Sequence, residues 1–71
     1  MDGSVYKVIE IIGTSKESWE HAAATAMLTA ARSLRDMRVG EVMMQDVHIE
    51  DDQSVTYRTK LKVSFKYHGE E

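Results

Sequence analysis

Arg58, Lys60, Lys62 and Lys66 fall at even positions of one short segment. On a strand they would form a single basic stripe, because side chains alternate between the two faces. Such a stripe can hold an anionic ligand, or it can pair with the carboxylates of Glu10, Glu41 and Asp46. Exposed ion pairs contribute little and are common, so pairing is the expectation for the lysines. Arg58 stays open between the two, since a planar guanidinium can stack as well as pair. Glu50, Asp51 and Asp52 could offer oxygens to calcium, but they lack the alternating carboxylates and central glycine of an EF-hand loop. A solvated hairpin tip is expected there. Carboxylates such as Glu10 or Glu20, gathered at a symmetry axis, would be a second route to a metal site. His21, His48 and His68 are far apart and match no zinc-ligand spacing. His48 shares a face with Asp46 and Glu50, which predicts an ion pair. No nucleophile, base and orienter stand in register and no phosphate-cradling loop is visible, so no enzymatic activity is expected.

The elements that must position these residues are few. Residues 55–65 alternate, with Val55, Tyr57, Thr59, Leu61, Val63 and Phe65 on one side and the cations on the other. This period of two marks a strand with one apolar face. Residues 5–12 are apolar and β-branched, a second strand that Gly13 should end. Thr14 and Glu17 fit a capping box for a helix over residues 16–37. Its stripe is Trp19, Ala23, Ala26, Ala30, Leu34 and Met37, with Trp19 as a packing anchor. Arg32, Arg35 and Arg38 would lie in or just past its last turns, where cations suit the helix dipole. Residues 39–50 read as a strand less cleanly: Val39, Met43, Val47 and Ile49 share a face that Glu41 and Gln45 interrupt. Met43 and Met44 would then face opposite ways, one into the core and one toward a pocket between subunits. Asp51 to Ser54 make a hairpin loop, and Gly69, Glu70 and Glu71 a frayed tail. The order is strand, helix, strand, strand: an α+β fold with one helix on an antiparallel sheet.

The chain has 71 residues, a single domain, and 42% of them are hydrophobic, enough for a core. A domain this small usually needs a staple. With no cysteine there is neither a disulfide nor a thiolate zinc site, which leaves oligomerisation. The net charge of −3 disfavours bulk nucleic-acid binding. No apolar run reaches membrane-spanning length and no signal-peptide pattern is seen, so no membrane partner and a cytoplasmic location are expected.

The stretches VYKVIEIIGTS, SWEHAA, VGEV, QDVHIED and TYRTKLKVSFKY together resemble the dodecin family, over residues 5–67. The resemblance implies a β-α-β-β subunit whose three-stranded antiparallel sheet wraps one helix. It also implies a hollow homododecamer of cubic symmetry that holds small ligands between subunits. Most dodecins bind flavins there, riboflavin or FMN, and store rather than transform them. The positions matching that pocket are Val39, Glu41, Gln45, Asp46 and Arg58. Flavin-binding dodecins carry tryptophan at Val39, stacked on the isoalloxazine, and glutamine at Arg58, bonded to the ring edge. Valine cannot stack, and arginine donates but cannot accept. Some members have arginine at Asp46, suited to a phosphate; aspartate repels one. These departures predict weakened or lost flavin binding. A subset without the tryptophan resembles this chain more closely, and one branch of it binds calcium. Two readings follow: a storage shell for a small planar or anionic ligand, or an ion-binding structural shell that holds calcium and no flavin.

Overall fold

A computed structural model describes residues 3–67. It contains β1 (Tyr6–Ser15), α1 (Trp19–Ala31), β2 (Met37–Ile49) and β3 (Val55–Lys66). His68 and the tail at Gly69, Glu70 and Glu71 lie outside the described residues. The sheet order is β1-β3-β2, with both pairings antiparallel. β3 is central, which explains its clean alternation: Thr59, Leu61 and Val63 are buried under α1, while Arg58, Lys60 and Lys62 face the other way. The core joins Ala26, Met37, Leu61 and Val63, with Ile9, Ile11, Met27 and Phe65 packed around them.

Several boundaries differ from the sequence expectation. β1 does not end at Gly13 but continues to Ser15. Gly13 is where the helix comes closest: a Cβ there would lie 2.8 Å from Ala26 Cβ and would run into the Ala22 carbonyl. The residue is small because of packing, not because the strand stops. The N-cap is Ser18, not Thr14; its hydroxyl accepts from His21 N–H at 3.0 Å. Ser15 instead stays in the strand, and its Oγ accepts from Glu17 N–H at 2.9 Å.

α1 stops at Ala31, six residues before Met37. The chain then turns through Asp36 at φ 60, a left-handed conformation that aspartate tolerates. Leu34 and Met37 still reach the core, from the turn and from β2. Helical spacing therefore marked the right buried residues on the wrong element. Arg32 is the C-cap, and Arg38 belongs to β2.

β2 carries two register shifts against β3, at Arg38 and Met43. Each extra residue reverses which side chains face the helix. Val39 and Glu41 consequently lie on the outer face, opposite Ser64 and Lys62, while Val47 and Ile49 lie on the helix side. The expected shared face of Val39, Met43, Val47 and Ile49 does not exist. Neither Met43 nor Met44 is in the core; both are exposed.

The subunit is long, 55 × 20 × 16 Å, with a radius of gyration of 14.8 Å. A compact chain of this length would have about 11 Å. Its surface of 5467 Å² also exceeds the ~4,500 Å² of a compact monomer of this mass.

Candidate functional site

The sheet face turned away from α1 is crossed by rows of three residues, one from each strand. Thr14, Arg58 and Asp46 form one row, and Ile12, Lys60 and Met44 the next. Glu10, Lys62 and Glu41 follow, then Val8, Ser64 and Val39. The basic stripe of β3 is thus flanked by carboxylates on both neighbours.

Arg58 grips Asp46 with two bonds, Nε to Oδ1 at 2.7 Å and Nη2 to Oδ2 at 2.8 Å. This fork holds the Asp46 carboxyl below its ordinary value and raises the guanidinium above its own. Lys60 pairs with Glu10 at 3.4 Å. Lys62 lies between Glu10 and Glu41. The pairing expected for the lysines is thus present at Lys60, and Arg58 is paired as well. Ile12, Met44, Asp46, Arg58 and Lys60 line a shallow cup of about 130 Å³. Small-molecule sites usually enclose ~300 Å³ or more, so one chain alone does not build a ligand pocket here.

Of the five positions that the sequence placed at a ligand pocket, one chain brings together Asp46 and Arg58. Glu41 lies beside Lys62. Val39 stands opposite Ser64, six residues along β3 from Arg58, or ~20 Å at strand spacing. It lines a separate cavity of about 340 Å³ with Tyr6, Arg38, Ser64 and Lys66. Gln45 is opposite Thr59, on the helix side of the sheet. Glu10 is on the outer face, whereas Glu20 is in the exposed first turn of α1, which packs on the other side. Among the described residues, no three His, Cys, Asp or Glu side chains gather as a metal group.

Two features were missed from the sequence. Trp19 does more than pack: its indole N–H donates to the Asp46 carbonyl at 3.0 Å, and its ring meets Tyr57 edge-on at 5.1 Å. The first turn of α1 thereby holds the backbone of Asp46 from beneath. A half-buried tryptophan needs a partner for its N–H, which is the signal that pointed there. Thr59, fully buried, completes the join by donating to the Trp19 carbonyl at 3.0 Å. The second feature is a node at Glu50, whose Oε2 accepts from the Thr56 hydroxyl and lies 3.3 Å from His48 Nδ1 and 3.8 Å from Lys16 Nζ. The Thr56 hydrogen bond chiefly, with the nearby Lys16 charge, lowers the Glu50 pKa. The expected pairing of His48 is therefore with Glu50. At the tip, Asp52 accepts from Ser54 N–H at 3.0 Å and from its hydroxyl at 2.7 Å.

A sheet of order β1-β3-β2 folded over one helix, with its other face open, defines a small α+β subunit. The dodecin family profile matches residues 5–68, and the chain belongs to the dodecin family. It is 56% identical over 63 residues to calcium dodecin of Mycobacterium tuberculosis, a match that covers 89% of each chain. The crystal structure of that calcium-chelating protein, described as having a novel calcium-binding site, superposes with a TM-score of 0.88 at 51% identity, covering 96% of this chain and 97% of the other. A Thermus thermophilus dodecin variant superposes at 0.84 with 33% identity, covering 93% and 97%. No helix among the described residues is long and apolar enough to cross a membrane.

Proposed function

We propose that this protein is a non-enzymatic subunit of a hollow homododecamer that binds ions, calcium among them, between subunits and has lost the family's flavin site. The observation that carries this reading is the Asp46–Arg58 fork. Arg58, at the position matching the flavin-contacting glutamine, spends its planar edge on Asp46, and Val39 offers no ring to stack. These residues do not fit a flavin. Because Val39 and Arg58 lie ~20 Å apart in one chain, any single ligand touching both positions would have to span two subunits.

The calcium part of the proposal rests on the likeness to calcium dodecin. Calcium takes six to eight oxygen ligands. One chain supplies scattered carboxylates, so the site would be shared, with Glu10, Glu20 and Glu41 as exposed contributors. The elongated shape and excess surface support self-association.

The test is light scattering followed by thermal melting in calcium and in chelator. A mass of twelve times 8.1 kDa, about 97 kDa, and a melting temperature raised by calcium are expected. A monomer, or an assembly indifferent to millimolar calcium, would contradict the reading.

A further inference from the structure

Arg58 stands between Tyr57 and Thr59 on β3, opposite Asp46 on β2. A single residue of α1 touches this stretch at three points. The Trp19 indole N–H donates to the Asp46 carbonyl at 3.0 Å, and its ring meets Tyr57 edge-on at 5.1 Å. Its own carbonyl accepts from the Thr59 hydroxyl at 3.0 Å. From the helix side, Trp19 therefore holds both chain neighbours of Arg58 and the peptide of Asp46. The side chains of Arg58 and Asp46 meet on the opposite face of the sheet. Trp19 also has a firm base: Ser15 Oγ and His21 Nδ1, 2.8 Å apart, join the end of β1 to the first turn of α1.

The form of the fork makes it sensitive to that hold. Arg58 bonds through Nε and Nη2, the flank of the guanidinium, and not through its two terminal nitrogens. Nε is attached directly to the Cδ stem, so it follows a displaced partner less freely than a terminal nitrogen would. Aspartate has a short side chain, and its carboxyl is carried along by any rotation of its own peptide. Two parallel bonds need both oxygens in line with the guanidinium plane. A hydrogen bond that fixes the Asp46 peptide thus bears on whether the fork closes with both prongs.

We propose that Trp19 is the positioning residue of the outer-face site: its indole bond to the Asp46 carbonyl holds the Asp46 carboxylate square to Arg58, and a change in the fork returns to the indole through the same bond. This role rests on the fork to which the loss of flavin binding is ascribed, and says what keeps it closed. Coupling between two contacts is reciprocal, so whatever Trp19 contributes to the fork, the fork contributes to the bond of Trp19. Trp19 is the only tryptophan in the chain, which makes its emission a signal from one place. The charged groups around Asp46 are Arg58 and Lys60 from β3, Glu10 from β1 beyond Lys60, and His48 two residues along β2.

Two measurements test the role. The first follows the aspartate carboxyl carbons by NMR through an acid titration, with Asp46→Asn to assign the Asp46 signal. In the parent, the Asp46 carboxyl is expected to titrate below the ordinary aspartate range, because Arg58 binds its charged form. In Trp19→Phe, with its fold checked by circular dichroism, it is expected to move back toward that range. An Asp46 that titrates normally in the parent would overturn the fork itself. A low value left unmoved by Trp19→Phe would overturn the positioning role and leave the fork standing. The second measurement keeps the tryptophan, and so does not depend on how the phenylalanine variant folds. Parent emission is expected to shift as acid protonates Asp46. Asp46→Asn should show the shifted emission already at neutral pH and lack that transition. An Asp46→Asn protein with the parent's emission and the parent's acid transition would overturn the coupling.

Discussion

Replacing Gly13 by alanine puts a methyl group into the narrowest gap between sheet and helix. The new Cβ would sit 2.8 Å from Ala26 Cβ and would collide with the Ala22 carbonyl. Carbon atoms pack comfortably at about 3.5–4.0 Å, so roughly an ångström of separation is missing. Both obstacles are fixed to the helix backbone, and no rotamer change relieves them. The helix must move as a body or β1 must bend. Overpacking of this kind costs about 1–3 kcal/mol. The loss of glycine's freedom in the unfolded chain offsets about 0.4–1 kcal/mol. The net expectation is a destabilisation of about 1–2 kcal/mol, or roughly 5–15 °C in Tm for a domain of this size. Two other glycines calibrate the experiment. Alanine at Gly40 would meet the end of the Met27 side chain, which can swing aside, and at Gly3 it meets nothing within 4 Å. The assay is thermal melting by circular dichroism at one fixed protein concentration, since assembly makes Tm concentration-dependent. The expected order of loss is Gly13, then Gly40, then Gly3 near zero. A Gly13→Ala protein as stable as the parent would refute the claim that this glycine sets the helix position.

Trp19→Phe keeps a ring against Tyr57 but removes the donor to the Asp46 carbonyl, so a loss of about 0.5–1.5 kcal/mol in denaturant unfolding is expected. Unchanged stability would mean that the helix start does not hold β2. Asp46, Glu50 and Asp52 all have pKa values lowered by their hydrogen bonds, chiefly from Arg58, Thr56 and Ser54. The stability they supply is fully present above the ordinary carboxylate values and is lost as pH falls through their depressed ones. Acid titration of the Asp46→Asn variant should therefore show a shallower loss than the parent, and an identical acid profile would count against the fork. Val39→Trp with Arg58→Gln should restore flavin quenching. Stacking alone contributes about 0.5–1.5 kcal/mol, or roughly 2–12-fold in Kd. No gain in the double variant would mean that the pocket was lost for other reasons.

How far the sequence speaks depends on what each residue answers to. β3 was legible throughout because it is the central strand, with one face under the helix and the other carrying charge. The helix was overextended because Leu34 and Met37 keep the three- and four-residue rhythm while leaving the helix; burial is shared by both outcomes. Gly13 suited a strand end equally well until the helix was seen lying on it. The bulges at Arg38 and Met43 carry no compositional mark, yet they reverse the faces of Val39 and Glu41. The Asp46–Arg58 pairing was within reach, since both stand six residues from Asp52 at the hairpin tip. The hydrogen bond from Trp19 to Asp46 was not, because it joins residues 27 apart through the crossing of two elements.

The central claim is that the dodecin fold is kept while its flavin contacts are replaced by a charge pair. Fluorescence-quenching titration of riboflavin and FMN, on protein shown by light scattering to be assembled, tests it most directly. The account predicts no saturable quenching by the assembled protein. Tight, saturable quenching would contradict it, by showing that Arg58 leaves Asp46 to take up the ring edge and that flavin is held without the tryptophan.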